Sequence, residues 1–283
     1  MKMKKYIMAV CLLAAGTFAL TSCGEKESIV TLNVNLEKPV ASKGYIGGER
    51  LPHLVTGDCA YVNDGVFAFD FENGDPILRV NHASDNVYRA IFPAYIVDSI
   101  ANPNIAHLDN VRVFIPTIQS FETKNGVQKV DMPMISYPDG YLLWFRNMCS
   151  IVRVQVVNTS SASIELSNIQ VSNNVTGQSG SGYVYLAGST HVTVPTATNL
   201  PVTTVDQLAT NRYVQLNFDG QAEATIAPGA SATYSLIVAP FTGATEGMVI
   251  RVNTVSSGFR DLSLPDVSSL ERNTIADVNF NWQ

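Results

Sequence analysis

Charge is scarce in this chain. Of 283 residues only 15% are charged, against roughly 25% in soluble domains. Basic residues are the scarcer class, 18 against 24 acidic, for a formal net charge of −6. A surface without a basic excess does not neutralise phosphates, so nucleic acid is not an expected partner. Histidine is also rare. His53, His82, His107 and His191 stand singly, without His-x-His or His-Glu-x-x-His spacing, so no metal site is expected. Asp70, Glu72 and Asp75 lie around Asn73-Gly74 but lack the alternating Asp-x-Asp-x-Asp calcium pattern and read as a turn. There is no Gly-x-Ser-x-Gly elbow and no Gly-x-x-x-x-Gly-Lys phosphate cradle. Gln178-Ser179-Gly180-Ser181-Gly182 is a flexible loop with no helical pattern after it. No catalytic residue and no cofactor is therefore expected, and the chain reads as a non-enzyme. Helical periodicity is missing as well: the one long candidate, Asp98 to Leu108, is broken by Pro103. No period of 20–50 residues repeats, which disfavours solenoids and propellers.

What is present starts at the N-terminus. Lys2, Lys4 and Lys5 precede a 15-residue apolar run, Tyr6 to Leu20. That run is short of the about 20 residues of a membrane-spanning helix and has the layout of a secretory signal. Leu20-Thr21-Ser22-Cys23-Gly24 resembles a bacterial lipobox. The resemblance implies that residues 1–22 are removed and that Cys23 is acylated, tethering the protein to a membrane. The plainer alternative is a secretory signal with an incidental cysteine. Loss of the three lysines would leave 15 basic against 24 acidic residues. Two further cysteines, Cys59 and Cys149, sit in apolar surroundings. An oxidising envelope permits them to pair, although two buried free thiols are the commoner arrangement.

The remainder alternates with period 2, the pattern of half-buried strands. Val30, Leu32, Val34 and Leu36 share one face, and Phe67, Phe69 and Phe71 another. Val111, Val113 and Ile115 repeat the pattern before Pro116, and Ser150 to Asn158 reads as a long strand. Strands are also expected over Ile164 to Val171, Tyr183 to Ala187, Tyr213 to Phe218, Ala232 to Ala239, Met248 to Val252 and Asn273 to Trp282. Turn signals such as Glu72-Asn73-Gly74-Asp75, Asp219-Gly220 and Ala227-Pro228-Gly229 separate them. Residues 176–182 and 188–207 read as polar loops. Many short strands with frequent turns argue for an all-β chain of antiparallel β-sandwiches. Pro138-Asp139-Gly140 marks the best boundary, giving an N-terminal domain over 23–140 and a C-terminal domain over 141–283.

Met132-Pro133-Met134, followed by the segment Leu143-Trp144-Phe145-Arg146-Asn147-Met148-Cys149-Ser150-Ile151-Val152-Arg153-Val154-Gln155-Val156, resembles the entry to the second domain of Bacteroidetes fimbrillins, the type V pilin lipoproteins. Ile164 to Val171, Tyr88 to Pro93, Ser231 to Pro240 and Thr274 to Trp282 also fit that family. The resemblance implies two tandem transthyretin-like β-sandwich domains. It implies a fimbrial (pilus) subunit at the cell outer membrane, lipid-exported through Cys23, which contributes to cell adhesion. Its partners would be other fimbrial subunits, joined by strand exchange: an N-terminal strand leaves and a strand from another subunit fills the vacated groove. In the family the strand is released by proteolysis after a basic residue. The matching position is Arg50, in Gly47-Gly48-Glu49-Arg50-Leu51, with Lys43 second. Gly24-Glu25-Lys26-Glu27-Ser28 resembles the acidic stretch after the lipidated cysteine of surface-exported lipoproteins. Asp98-Ser99-Ile100 matches a hydroxyl-glycosylation motif of the same phylum, on Ser99. No spare donor segment follows the last strand, which points to a tip or anchor subunit rather than a stalk subunit.

The alternative function is a surface lipoprotein that binds host or bacterial glycans by stacking sugars on aromatics. Trp144, Trp282, Tyr183, Tyr185 and Tyr213 are the candidates, with Trp144 and Trp282 reading as core.

Overall fold

In a computed structural model of the protein, residues 28–37, 40–41, 54–124, 127–173, 185–244 and 247–283 are described. The described chain is all-β, with two single-turn 3₁₀ segments, Ala94–Ile96 and Ala222–Ala224, as its only helical elements. The first half contributes β1 (Ile29–Leu36), β2 (Val40–Ala41), β3 (Cys59–Val62), β4 (Gly65–Glu72), β5 (Asp75–Asn81) and β6 (Ala90–Phe92). It continues with β7 (Asn110–Ile115), β8 (Ile118–Ser120), β9 (Thr123–Lys124), β10 (Val127–Gln128), β11 (Met134–Asp139) and β12 (Leu142–Asn147). Seven of these close into one sheet in the order β1-β12-β11-β6-β3-β4-β5. The alternation explains why. Leu32, Val34, Phe69, Leu78, Val80, Leu143 and Phe145 point inward and form one buried cluster. Asn73 and Gly74 supply the two positive φ values, 54° and 91°, that a two-residue hairpin between β4 and β5 needs.

The second half contributes β13 (Ser150–Asn158), β14 (Ile164–Asn173), β15 (Ala187–Thr193), β16 (Thr203–Asn211), β17 (Tyr213–Asn217) and β18 (Thr225–Ile226). β19 (Ser231–Val238), β20 (Phe241–Thr242), β21 (Met248–Thr254), β22 (Phe259–Leu264), β23 (Ser269–Leu270) and β24 (Thr274–Trp282) complete it. A four-stranded sheet, β19-β13-β24-β2, accompanies a larger one, β22-β21-β14-β17-β8. Their inward residues, among them Val152, Val154, Ile169, Val171, Leu236, Ile250 and Phe280, belong to one continuous core. That packing of sheet on sheet is sandwich-like.

Pairing crosses residue 140 in both directions. Pro138-Asp139-Gly140 opens a hairpin: β11 and β12 pair from Met134↔Asn147 to Asp139↔Leu142, so residues 142–147 complete the first closed sheet. Conversely β7 pairs with β15, and β8 pairs in parallel with β17. Val111, Val113, Ile115, Phe121, Val130 and Met132 accordingly lie in the second core. Residues 188–207, which read as a polar loop, contain β15 and the start of β16. β15 sits between β7 and β16 with Gly188, Ser189 and Thr190 buried. Small residues suit a strand covered on both edges, and composition alone does not distinguish that from a loop. β22 was not expected either, because its alternation is confined to half-buried Leu262 and Leu264 and its other side chains are exposed.

Candidate strand-exchange site

The best-defined candidate site is the seat of β1. Its first residues pair antiparallel with β5, from Ile29↔Asn81 to Asn33↔Ile77. Its last residues pair in parallel with β12, from Asn33↔Leu142 to Leu36↔Phe145. β1 is therefore the strand that joins β5 to β12, and without it the closed sheet has a gap. Leu32 and Val34 are its buried residues, 0% and 6% exposed. Each contributes roughly 2 kcal/mol of apolar burial. Asn33 donates its backbone N–H to the Tyr141 carbonyl at 2.9 Å, and Glu37 donates to that of Phe145 at 3.0 Å.

A polar latch fastens the end of this strand. The Glu37 carboxylate accepts from Arg272 Nη1 at 2.6 Å and Nη2 at 3.0 Å, and from the Asn147 backbone N–H at 2.9 Å. Arg146 Nη1 stands 3.8 Å away. Arg272 also donates to the Asn147 carbonyl at 2.7 Å. The Glu37 and Arg272 side chains are 12% and 14% exposed. A single carboxylate thus ties the first strand to the β12–β13 junction and to the entry of β24.

β24 lies parallel to β13 over the register Ile151↔Ile275 to Asn158↔Trp282. Among the described residues its other edge meets β2, at Thr274 and Ile275. Phe280 and Trp282 are buried in the second core. Arg153 and Asp277, opposite each other across β13 and β24, form a bidentate pair at 2.5 and 3.0 Å. Its side chains are 5% and 1% exposed.

Cys23 and Arg50, the expected lipid and cleavage sites, lie outside the described residues, as do Lys43, His53 and Tyr183. Ser99 is exposed in a turn, next to an Asp98 carboxylate that accepts the Ala101 N–H at 3.1 Å. Cys149 is a free, buried thiol, so it is not joined to Cys59. Burial pushes the Cys149 thiol far above its ordinary range. Trp282 is core, as expected, whereas Trp144 is not. It alternates with buried Leu143 and Phe145, so it faces outward, half-buried and stacked on Tyr137 at 6.4 Å. His107 pairs with Asp85 at 2.7 Å, and His191 lies 3.5 Å from Asp206. Among the described residues no group of three potential metal ligands occurs, and no helix is long and apolar enough to cross a membrane. The latch was missed in sequence reading because Glu37 and Arg272 are separated by 235 positions.

No family model and no curated protein matches the sequence. Solved structures do match. A candidate cell adhesion protein from Bacteroides ovatus aligns over 91% of this chain and 94% of its own, at 14% identity and a TM-score of 0.51. A candidate cell adhesion protein from Bacteroides uniformis aligns over 80% and 87%, at 11% identity and a TM-score of 0.44. The tip fimbrial protein Mfa3 from Porphyromonas gingivalis aligns over 77% and 87%, at 10% identity and a TM-score of 0.35. The last two lie below the level at which backbone similarity defines a common fold. In fold the chain is similar to the candidate cell adhesion protein of Bacteroides ovatus.

Proposed function

We propose that this chain is a fimbrial subunit of tip or anchor type, which assembles with other fimbrial subunits by β-strand complementation and contributes to cell adhesion. The observation that carries the reading is the seat of β1: a strand with two buried apolar residues that alone bridges β5 and β12. Withdrawing it would uncover unpaired backbone on both neighbours and a strip of the Leu78, Leu143 and Phe145 core. Such a groove accepts an extended strand from another subunit. The fold shared with a candidate cell adhesion protein supports the adhesive part. In this reading Cys23 carries the lipid at the outer membrane and Arg50 is the maturation site. Ser99 accepts a glycan, for which its exposure in a turn is suitable.

The experiment is N-terminal sequencing of surface-assembled material, with electron microscopy of cells with and without the gene. Processing after Arg50 and loss or shortening of fibres are expected. An intact mature N-terminus in assembled fibres would sink β1 release, and unchanged fibres would sink the fimbrial role. A second reading, glycan binding, has one observation in its favour, the half-buried Tyr137–Trp144 stack on the outer face. A glycan array probed with the protein and with Trp144→Ala tests it.

A further inference from the structure

β19 is an edge strand. Its inner side pairs antiparallel with β13 through eight residue pairs, Ser150↔Val238 to Val157↔Ser231. Among the described residues no strand pairs with its outer side through backbone hydrogen bonds; β8 and β10 approach it only through side chains, and two residues of β19 are fully hydrogen-bonded there. The Gln128 carboxamide accepts the Ser235 N–H at 2.7 Å and donates to the Ser235 carbonyl at 2.8 Å. The Gln119 carboxamide accepts the Ile237 N–H at 2.9 Å and donates to the Ile237 carbonyl at 2.7 Å.

One residue exchanging both its N–H and its C=O with a single partner is the hydrogen-bonded pair of an antiparallel ladder. Ser235 and Ile237 are two positions apart, the repeat of such pairs along one edge. Each glutamine amide therefore stands in for the N–H and C=O of one residue of a partner strand. Beside this edge runs a groove of ≈ 270 Å³. Tyr95, Phe114 and Ile118 line it, at 45%, 50% and 49% exposed. Large apolar side chains left open beside a backbone edge are what a strand would cover.

We propose that the outer edge of β19 is a strand-accepting site held shut by Gln119 and Gln128, and that its occupant is an extended segment of another subunit running antiparallel to β19. The inference rests on the strand-exchange reading for the identity of its partner. It places a second acceptor away from the β1 seat. Exchange there is balanced, because the N–H and C=O of two incoming residues replace the two amides bond for bond and the glutamines turn out to water. A lysine or proline guard would lack that symmetry. The groove also carries a charge preference. Glu122, Lys129 and Asp131 line it, one cation against two carboxylates, and Lys129 is held by Asp131 at 3.1 Å and by Asp58 behind the groove at 2.8 Å. A segment with a basic residue at that end fits better than an acidic one.

The test uses the full chain and a labelled decapeptide of alternating valine and threonine with one terminal lysine, and reads fluorescence anisotropy and hydrogen exchange of β19. The double variant Gln119→Ala with Gln128→Ala, which removes the competing amides, should bind the peptide at least tenfold tighter than the parent. The Ser235 and Ile237 amides should exchange faster in the variant and become protected when peptide is added. Gln128→Glu keeps the acceptor and loses the donor, so it should show an intermediate gain if the double variant does not fold. An acidic counterpart of the peptide should bind more weakly. Faster exchange at Ser235 and Ile237 with no saturable binding and no protection would overturn the proposal. Strand exchange at the β1 seat is followed in the same samples by protection of the Asn33 amide. Binding lost at β19 but retained at β1 removes this inference and leaves the wider reading standing. The opposite pattern removes the wider reading alone.

Discussion

Replacing Glu37 by alanine should loosen β1 without unfolding the second core. The carboxylate makes three short contacts, two to Arg272 and one to the Asn147 N–H. Both charged side chains are less than 15% exposed. Breaking a buried pair on one side leaves the other charge uncompensated and costs about 3–5 kcal/mol. Arg272 keeps its bond to the Asn147 carbonyl at 2.7 Å, so the lower end of that range applies. About 3 kcal/mol corresponds to a roughly hundredfold rise in the population with β1 detached, at about 1.4 kcal/mol per factor of ten. Native-state hydrogen exchange reads this directly. The amides of Asn33 and residue 37, bonded to the Tyr141 and Phe145 carbonyls, should exchange about two decades faster. Amides at the centre of β13, paired on both sides, should change far less. The double variant Glu37→Ala with Arg272→Ala should recover part of the loss, giving a coupling energy of order 1 kcal/mol or more. A uniform acceleration across both halves, or none at β1, would refute the idea that Glu37 is the latch of this strand.

Three further outcomes are expected. Asp277→Ala should destabilise the protein by about 3–5 kcal/mol in urea unfolding, because it takes the bidentate carboxylate away from Arg153, which is 5% exposed, while Arg153→Met with Asp277→Leu should be close to neutral. Gly247→Ala should cost well over 1 kcal/mol, since φ is +73° and the new Cβ would stand 2.1 Å from the Leu264 carbonyl oxygen; Gly258→Ala, at φ +78° with open space, should cost less in the same thermal melt. Asp261 has its carboxyl held below the ordinary 3.8 by its hydrogen bonds to Arg251, so its contribution is present above that value and lost as pH falls through the lower folded value. Both side chains are more than a third exposed, so the effect is small. Asp261→Asn should flatten the fall in the urea midpoint between about pH 5 and about pH 3.

Strand positions were legible where one face is buried. β1, β7, β13 and β24 follow the alternation of Leu32 and Val34, of Val111 to Ile115, of Val152 to Val156, and of Val278 to Trp282. β15 and β22 were not: β15 is small and covered at both edges, and β22 turns only half-buried Leu262 and Leu264 to the core. The outward turn of Trp144 follows from register, since the run Leu142 to Phe145 alternates instead of burying every side chain.

The amino-acid sequence by itself determined the all-β class and the inward face of β1, β7, β13 and β24. These depend on neighbours within a few residues, through side-chain alternation and turn chemistry. Only the tertiary structure decided which strands meet. β12 joins the first sheet and β7 the second, β1 bridges β5 and β12, Glu37 reaches Arg272, and two glutamines occupy the edge of β19. Hydrogen bonding between strands uses backbone groups that every residue has, so partners are chosen by the packing of the whole chain.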